Sequence, residues 1–132
     1  MADPQQVVRD FCAAISTLDR DQVRACMHDD ITFRDPDTAM GGGGIEATMK
    51  AWEPVFALFT RFDIEITSIA SNGPIVFTER IDRVTVDGDD FEVPCLAVYE
   101  VDDDLIVRFH DWFDPSIVGA AMSRAAGRRA DS

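Results

Sequence analysis

The sequence is poor in the residues that announce a metal or redox centre. Its 132 residues include three cysteines and two histidines. Cys12, Cys26 and Cys95 are odd in number and form no CxxC pair, so neither a disulfide scaffold nor a zinc site is expected. His28 and His110 share no spacing that would bring them to one ion, and both read as structural. No metal and no organic cofactor is therefore implied. Cations are scarce too: 12 basic residues stand against 25 acidic ones, a net charge of −13 with a pI near 4.3. Phosphate backbones and anionic membranes repel such a surface, which argues against nucleic-acid or membrane partners. No apolar run approaches the roughly 18 residues that span a bilayer. The start, MADPQQVVRD, lacks a basic segment followed by an apolar one, so no signal peptide is read and a cytoplasmic location is expected.

What is present suits a globular chain. Hydrophobic residues make up 46% of it, and the length suits one domain over residues 1–132. Val7, Val8, Phe11, Ala14, Ile15 and Leu18 recur at three- and four-residue spacing, predicting a helix over Pro4–Ser16 capped by Asp3. A short helix is expected over Asp19–Met27, a strand over Ile31–Asp35 ended by Pro36, and a glycine-rich loop through 44. The four glycines at 41–44 lack the Lys-Ser/Thr of a phosphate loop. A third helix is expected over Ile45–Phe59, with a kink or break at Pro54. Four strands then follow, over Arg61–Ser71, Pro74–Val86, Asp90–Val101 and Leu105–Phe113. Asn72-Gly73, Asp87-Gly88 and the acidic 102–104 run mark the turns between them. A short helix begins at Ile117, and residues 119–132 read as a frayed tail. Helices first and hairpin-linked strands after predict an α+β fold, a curved antiparallel sheet wrapped around the N-terminal helices.

Strand alternation places Val76, Thr78, Arg80, Asp82, Val84 and Val86 on one face. It groups Asp111 with Leu105, Val107, Phe109 and Phe113 on another. Charges on apolar faces are costly unless paired. Arg80 has donors enough to bridge Asp82 and Asp111. Such a bridge either ties two strands together or holds two carboxyls in different protonation states for acid/base work. Asp35 shares a face with Ile31 and Phe33 and could enter the same pocket, or simply form an Asp-Pro turn. Cys95 could line the pocket, and no His or Asn partner marks it as a nucleophile. Trp52, Phe56 and Trp112 read as core rather than ligand platform, although an apolar pocket would use such residues.

The segment Ser71-Asn72-Gly73-Pro74-Ile75-Val76-Phe77-Thr78-Glu79-Arg80-Ile81-Asp82 resembles the SNG…V(Y/F)TER(V/I)D run of limonene-1,2-epoxide hydrolases. Phe109-His110-Asp111-Trp112-Phe113-Asp114 resembles that family's W-R-D-Y-F-D segment. The resemblance covers most of residues 5–118. It implies the cone fold of the nuclear-transport-factor-2-like and SnoaL-like proteins, and cofactor-free hydrolysis of a small apolar epoxide to a vicinal diol. Asp111 would be the general base on a water, Asp82 the general acid on the epoxide oxygen, and Arg80 the bridge. One departure concerns the water. The family's Y-x-N water-holding pair is matched here by Phe33-Arg34-Asp35; Phe33 cannot hydrogen-bond, and Asp35 can accept but cannot donate as an amide does. Ile31–Pro36 also resembles the D-A-T-V-E-D-P segment of ketosteroid isomerases, where the Asp before Pro is a proton-shuttling base. That family's second aspartate would fall near Leu96. Isomerase- or polyketide-cyclase-like proton transfer by Asp35, or a non-catalytic cone for an apolar ligand, are the alternatives. A homodimer through Ile75, Phe77 and Ile81 is expected by analogy of fold.

Overall fold

Asp3 caps the first helix by accepting the Gln5 N–H at 3.2 Å, and Pro4 supplies the fixed φ of a first helical residue. This helix, α1 (Pro4–Ser16), buries Val7, Val8, Phe11, Cys12, Ala14 and Ile15, the expected stripe with Cys12 added. The computed structural model describes residues 3–36 and 43–131. The remaining elements are α2 (Arg20–Ala25), β1 (Met27–Arg34), α3 (Ile45–Leu58), β2 (Phe59–Asn72), β3 (Ile75–Val86), β4 (Asp89–Asp102), β5 (Leu105–Phe113) and α4 (Pro115–Asp131). Residues 37–42 of the expected glycine-rich loop lie outside the described residues. At its end, Gly44 takes φ +92° as α3 begins, a conformation that L side chains rarely adopt.

The five strands form one curved sheet in the order β1-β5-β4-β3-β2, and the expected α+β cone is the fold observed. β2 to β5 are antiparallel neighbours joined by two-residue turns. Asp87 and Gly88 both have positive φ, as do Asp103 and Asp104, the pattern that matches strand twist in a tight hairpin.

Several expectations are corrected. The sheet is not wholly antiparallel, because β1 runs parallel to β5 at one edge. β1 starts at Met27 rather than Ile31, and α2 stops at Ala25. The Ile106 N–H binds the Cys26 carbonyl at 2.9 Å and draws this stretch onto β5. Of the kink or break expected at Pro54, the break is absent: α3 runs through it, and Trp52, Val55 and Phe56 pack against the core on either side. On β5 the alternation slips. Pairing steps from Glu100–Arg108 to Val101–Ile106, so Val107 is a bulge and Ile106 is the buried residue instead of Leu105 and Val107. Finally, α4 is helical through the stretch read as a frayed tail. Ala121 and Ala125 are buried, and Arg128 pairs with Asp87 at 3.1 Å and with Asp89. That clasp ties α4 to the β3–β4 turn.

The face of β3 read as internal is internal throughout, with all six of its residues buried. The opposite sheet face exposes Phe77, Leu96 and Trp112. Trp112 was expected in the core and is 53% exposed.

Candidate active site

Strand pairing decides which charges meet. Arg80 on β3 lies beside Cys95 on β4, and Asp111 on β5 lies beside Ala97 on β4. Arg80 must therefore reach over β4, two strand spacings of roughly 4.8 Å each, to touch Asp111. The side chains it passes are Cys95 and Ala97, both small. The guanidinium makes a fork with Asp82, Nε to Oδ1 at 3.0 Å and Nη2 to Oδ2 at 2.8 Å. Nη2 also reaches Asp111 Oδ2 at 3.2 Å. Nη1 donates to the Tyr99 hydroxyl at 2.8 Å, and that hydroxyl is 2.9 Å from Thr78 Oγ1. Tyr99 is held flat on Phe109 with ring centroids 5.1 Å apart, and Phe11 meets both edge-on. The arginine is thus fixed on three sides. The Cys95 thiol donates to Asp82 Oδ2 at 3.4 Å.

Asp82 and Asp111 open on a cavity of about 420 Å³. Phe33, Trp52, Phe59, Phe62, Val84, Val93 and Phe113 make most of its wall, with Asp35 at the end of β1 and Val118, Gly119 and Met122 from α4. Two polar atoms in this wall are buried without a partner among the described residues: Asp111 Oδ1 and Trp52 Nε1.

Burial pushes the Asp111 carboxyl up to about 6. Arg80 opposes that rise, and the charges of Asp82 and Asp35 add to it. Burial alone would lower the proton affinity of Arg80; Asp111, Tyr99 and Asp82 more than reverse this, so it stays charged. Burial and the neighbouring Asp82 push the Cys95 thiol well above its ordinary range, which makes it a hydrogen-bond donor and not a nucleophile.

The structure brings together all five residues singled out from sequence: Arg80, Asp82 and Asp111 in contact, Asp35 and Phe33 in the same wall. Sequence reasoning passed over Tyr99, whose inner-face position follows from period-two spacing with Cys95 and Ala97. Trp52, read mainly as core and only secondarily as a residue an apolar pocket would use, lines the cavity. Leu96, where an isomerase-like second aspartate would fall, points outward and is 60% exposed. Ligand atoms of Asp82, Cys95 and Asp111 lie within 4.8 Å of one another, as in a metal cluster. The Arg80 cation already holds three of the four carboxylate oxygens, and the Cys95 thiol keeps its proton, so these residues do not fit one.

The SnoaL-like domain family model matches residues 8–109. No curated protein matches the chain by sequence. Among solved structures, an LEH-like epoxide hydrolase of M. tuberculosis is 24% identical, with 96% of this chain and 94% of that one covered and a TM-score of 0.73. A proposed SnoaL-like polyketide cyclase from Shewanella putrefaciens is 15% identical over 94% of this chain and 98% of the other, with a TM-score of 0.78. A protein of ketosteroid isomerase-like fold from Catenulispora acidiphila, in complex with trimethylamine, is 21% identical over 87% and 90%, with a TM-score of 0.73. At these identities the likenesses establish the fold.

Proposed function

Because the chain belongs to the SnoaL-like domain family, whose cone here holds a charged trio against an apolar wall, we propose that it is an acid/base enzyme adding water to a small apolar epoxide. The carrying observation is the pair of carboxyls bridged by one guanidinium, with Asp111 Oδ1 left unpartnered in the cavity wall. In the proposed step a water oxygen attacks one epoxide carbon while its proton passes to Asp111. The ring C–O bond breaks with its electron pair going to oxygen, and that oxygen takes a proton from Asp82. The product is a vicinal diol. One proton enters the trio as another leaves, so its net charge is unchanged while the bonds rearrange. In a low-dielectric site this avoids the cost of creating a new buried charge.

The step requires Asp111 to be ionised and Asp82 to carry the proton that it gives up. Asp111 Oδ2 accepts from Arg80, and Oδ1, unpartnered among the described residues, is the oxygen left to accept from the water. Because Asp111 is raised to about 6, it holds a proton below that pH and cannot act as the base. We therefore expect kcat/KM to rise as pH rises through about 6, with pH–rate measurements on a soluble cyclic epoxide as the check. A rate that shows no rise through pH 6 would remove Asp111 as the base.

Diol formation across a panel of cyclic and terpene epoxides tests the activity itself. A Δ5-ketosteroid run beside them tests proton transfer by Asp35. Isomerisation that is lost in Asp35→Ala, with no diol from any epoxide, would replace the hydrolase reading. Tight binding of epoxides without turnover would make the cone a carrier.

The exposed outer face supports a homodimer. Phe77, Leu96 and Trp112 are 46%, 60% and 53% exposed, a concentration of large apolar side chains unusual on a free surface. Leu96 and Trp112 are direct cross-strand neighbours. Sedimentation should give a mass near twice 14.6 kDa, and Leu96→Glu with Trp112→Glu should give one copy. A monomeric wild type would end this reading.

A further inference from the structure

The two unpartnered atoms in the cavity wall are chemically complementary. An ionised carboxylate oxygen only accepts, and an indole N–H only donates. Asp111 Oδ1 and Trp52 Nε1 are each buried and pair with nothing among the described residues, and both side chains line one cavity. Folded chains rarely leave such groups unsatisfied, so each calls for an explanation.

Their surroundings suggest one. Trp52 stands on α3 with its ring 5.8 Å from that of Phe33 and 6.1 Å from that of Phe109. Phe109 lies two residues before Asp111 on the same face of β5, so the indole covers the strip that carries the carboxylate. Phe33 has no hydroxyl, and Asp35 beside it has no N–H. The strand β1 thus offers the cavity an acceptor and no side-chain donor at these two positions, while α3 packs the indole, which carries one, against the ring of Phe33.

We propose that Trp52 Nε1–H and Asp111 Oδ1 together hold the attacking water, an assignment that rests on the hydration reading above. Water has two hydrogens and two lone pairs. One hydrogen goes to Asp111 Oδ1 and the second faces the Asp35 carboxylate. One lone pair accepts from Trp52. The remaining lone pair is the one free to attack an epoxide carbon, so the three groups orient the nucleophile as well as bind it. Trp52 gives up no proton in the step, and the atom balance is that of the hydration.

Trp52→Phe keeps an aromatic ring and removes the N–H. It is expected to lower kcat about 100-fold, the scale for losing one oriented donor, with KM changed less than about threefold. Adding Phe33→Tyr to that variant restores a donor from the facing strand and is expected to recover at least about tenfold. A second measurement needs no turnover. In 15N-labelled wild-type protein the indole N–H signal of Trp52, told apart from Trp112 through Trp112→Phe, should move downfield with cyclohexane-1,2-diol and not with methylcyclohexane. Trp52→Phe within twofold of the wild-type rate, or an indole signal with the same response to both compounds, overturns the proposal. Should the wild type hydrate no epoxide while the indole answers the diol alone, the hydration reading fails and the pair stands as a hydroxyl-binding site. Should Trp52→Phe fail to fold, the signal in the wild type still decides.

Discussion

Asp111→Asn is expected to lower epoxide hydration by at least about 1,000-fold, the upper range for loss of a positioned proton acceptor. The same change should make the protein more stable at neutral pH. Asp111 in the folded chain holds its proton to about 6, against an ordinary carboxyl value of 3.8. Between these values the native state carries a proton that the unfolded chain has released. Wild-type stability therefore falls as pH rises from about 4 to about 6 and is level, as far as this group is concerned, above that. An asparagine is neutral at every pH and pays no such penalty. It can still accept from Arg80, and it leaves one cation facing one anion. The gain above pH 6 should be on the order of 1–3 kcal/mol and should vanish near pH 4. Urea unfolding at pH 4 and pH 7.5, beside a rate assay, reads both effects. Undiminished turnover would remove Asp111 from the mechanism, and an equal stability difference at both pH values would remove the buried-charge argument.

Arg80→Met should have the largest effect on folding. Arg80 is 3% exposed, and Asp82 and Asp111 are nearly as deeply buried. Removing the cation leaves two carboxyls in an apolar wall with no counter-charge. The expected loss at pH 7 is about 3–5 kcal/mol, the usual cost of orphaning one side of a buried ion pair. Asp111, whose carboxyl burial already raises and Arg80 holds down, would then favour its neutral form, so stability should recover as pH falls. Arg80→Lys tests the geometry separately. It keeps the charge and loses the fork, so it should fold more stably than Arg80→Met at pH 7 and turn over slowly. An Arg80→Met protein as stable as wild type at pH 7 would mean that solvent reaches the trio in a way its burial does not suggest.

The chemistry of this site was legible because it broke a pattern. Arg80 and Asp82 stand in a stripe of valines on β3, and Asp111 among apolar neighbours on β5, and period-two alternation suffices to put each inside. The slip at Val107 carries no glycine or proline to mark it, and it left Leu105 and Val107 assigned to the wrong face. The parallel edge strand was also hidden. Nothing in Met27–Arg34 states which strand it joins, since the partner is set by backbone bonds from Cys26 onward. The continuation of α4 beyond the short helix expected at Ile117 was missed because its alanines and arginines give a weak stripe, and its hold on Asp87 and Asp89 is a contact between distant positions. Contacts across the sheet depend on strand order, which is why Tyr99 came into view only with the fold.

The same strand order gives Ala97 a meaning that its methyl group does not advertise. It faces Asp111 on one side and sits one inward position from Cys95, the neighbour of Arg80, so the arginine reaches Asp111 over this pair of small side chains. A branched residue there would part Arg80 from Asp111 without altering a single charge. Chains that share this cone can therefore carry all three ionisable residues and lack the device they form. When members of the family are sorted by what they do, the diagnostic character is clearance: a small side chain on the middle strand, read together with the charges on either side of it.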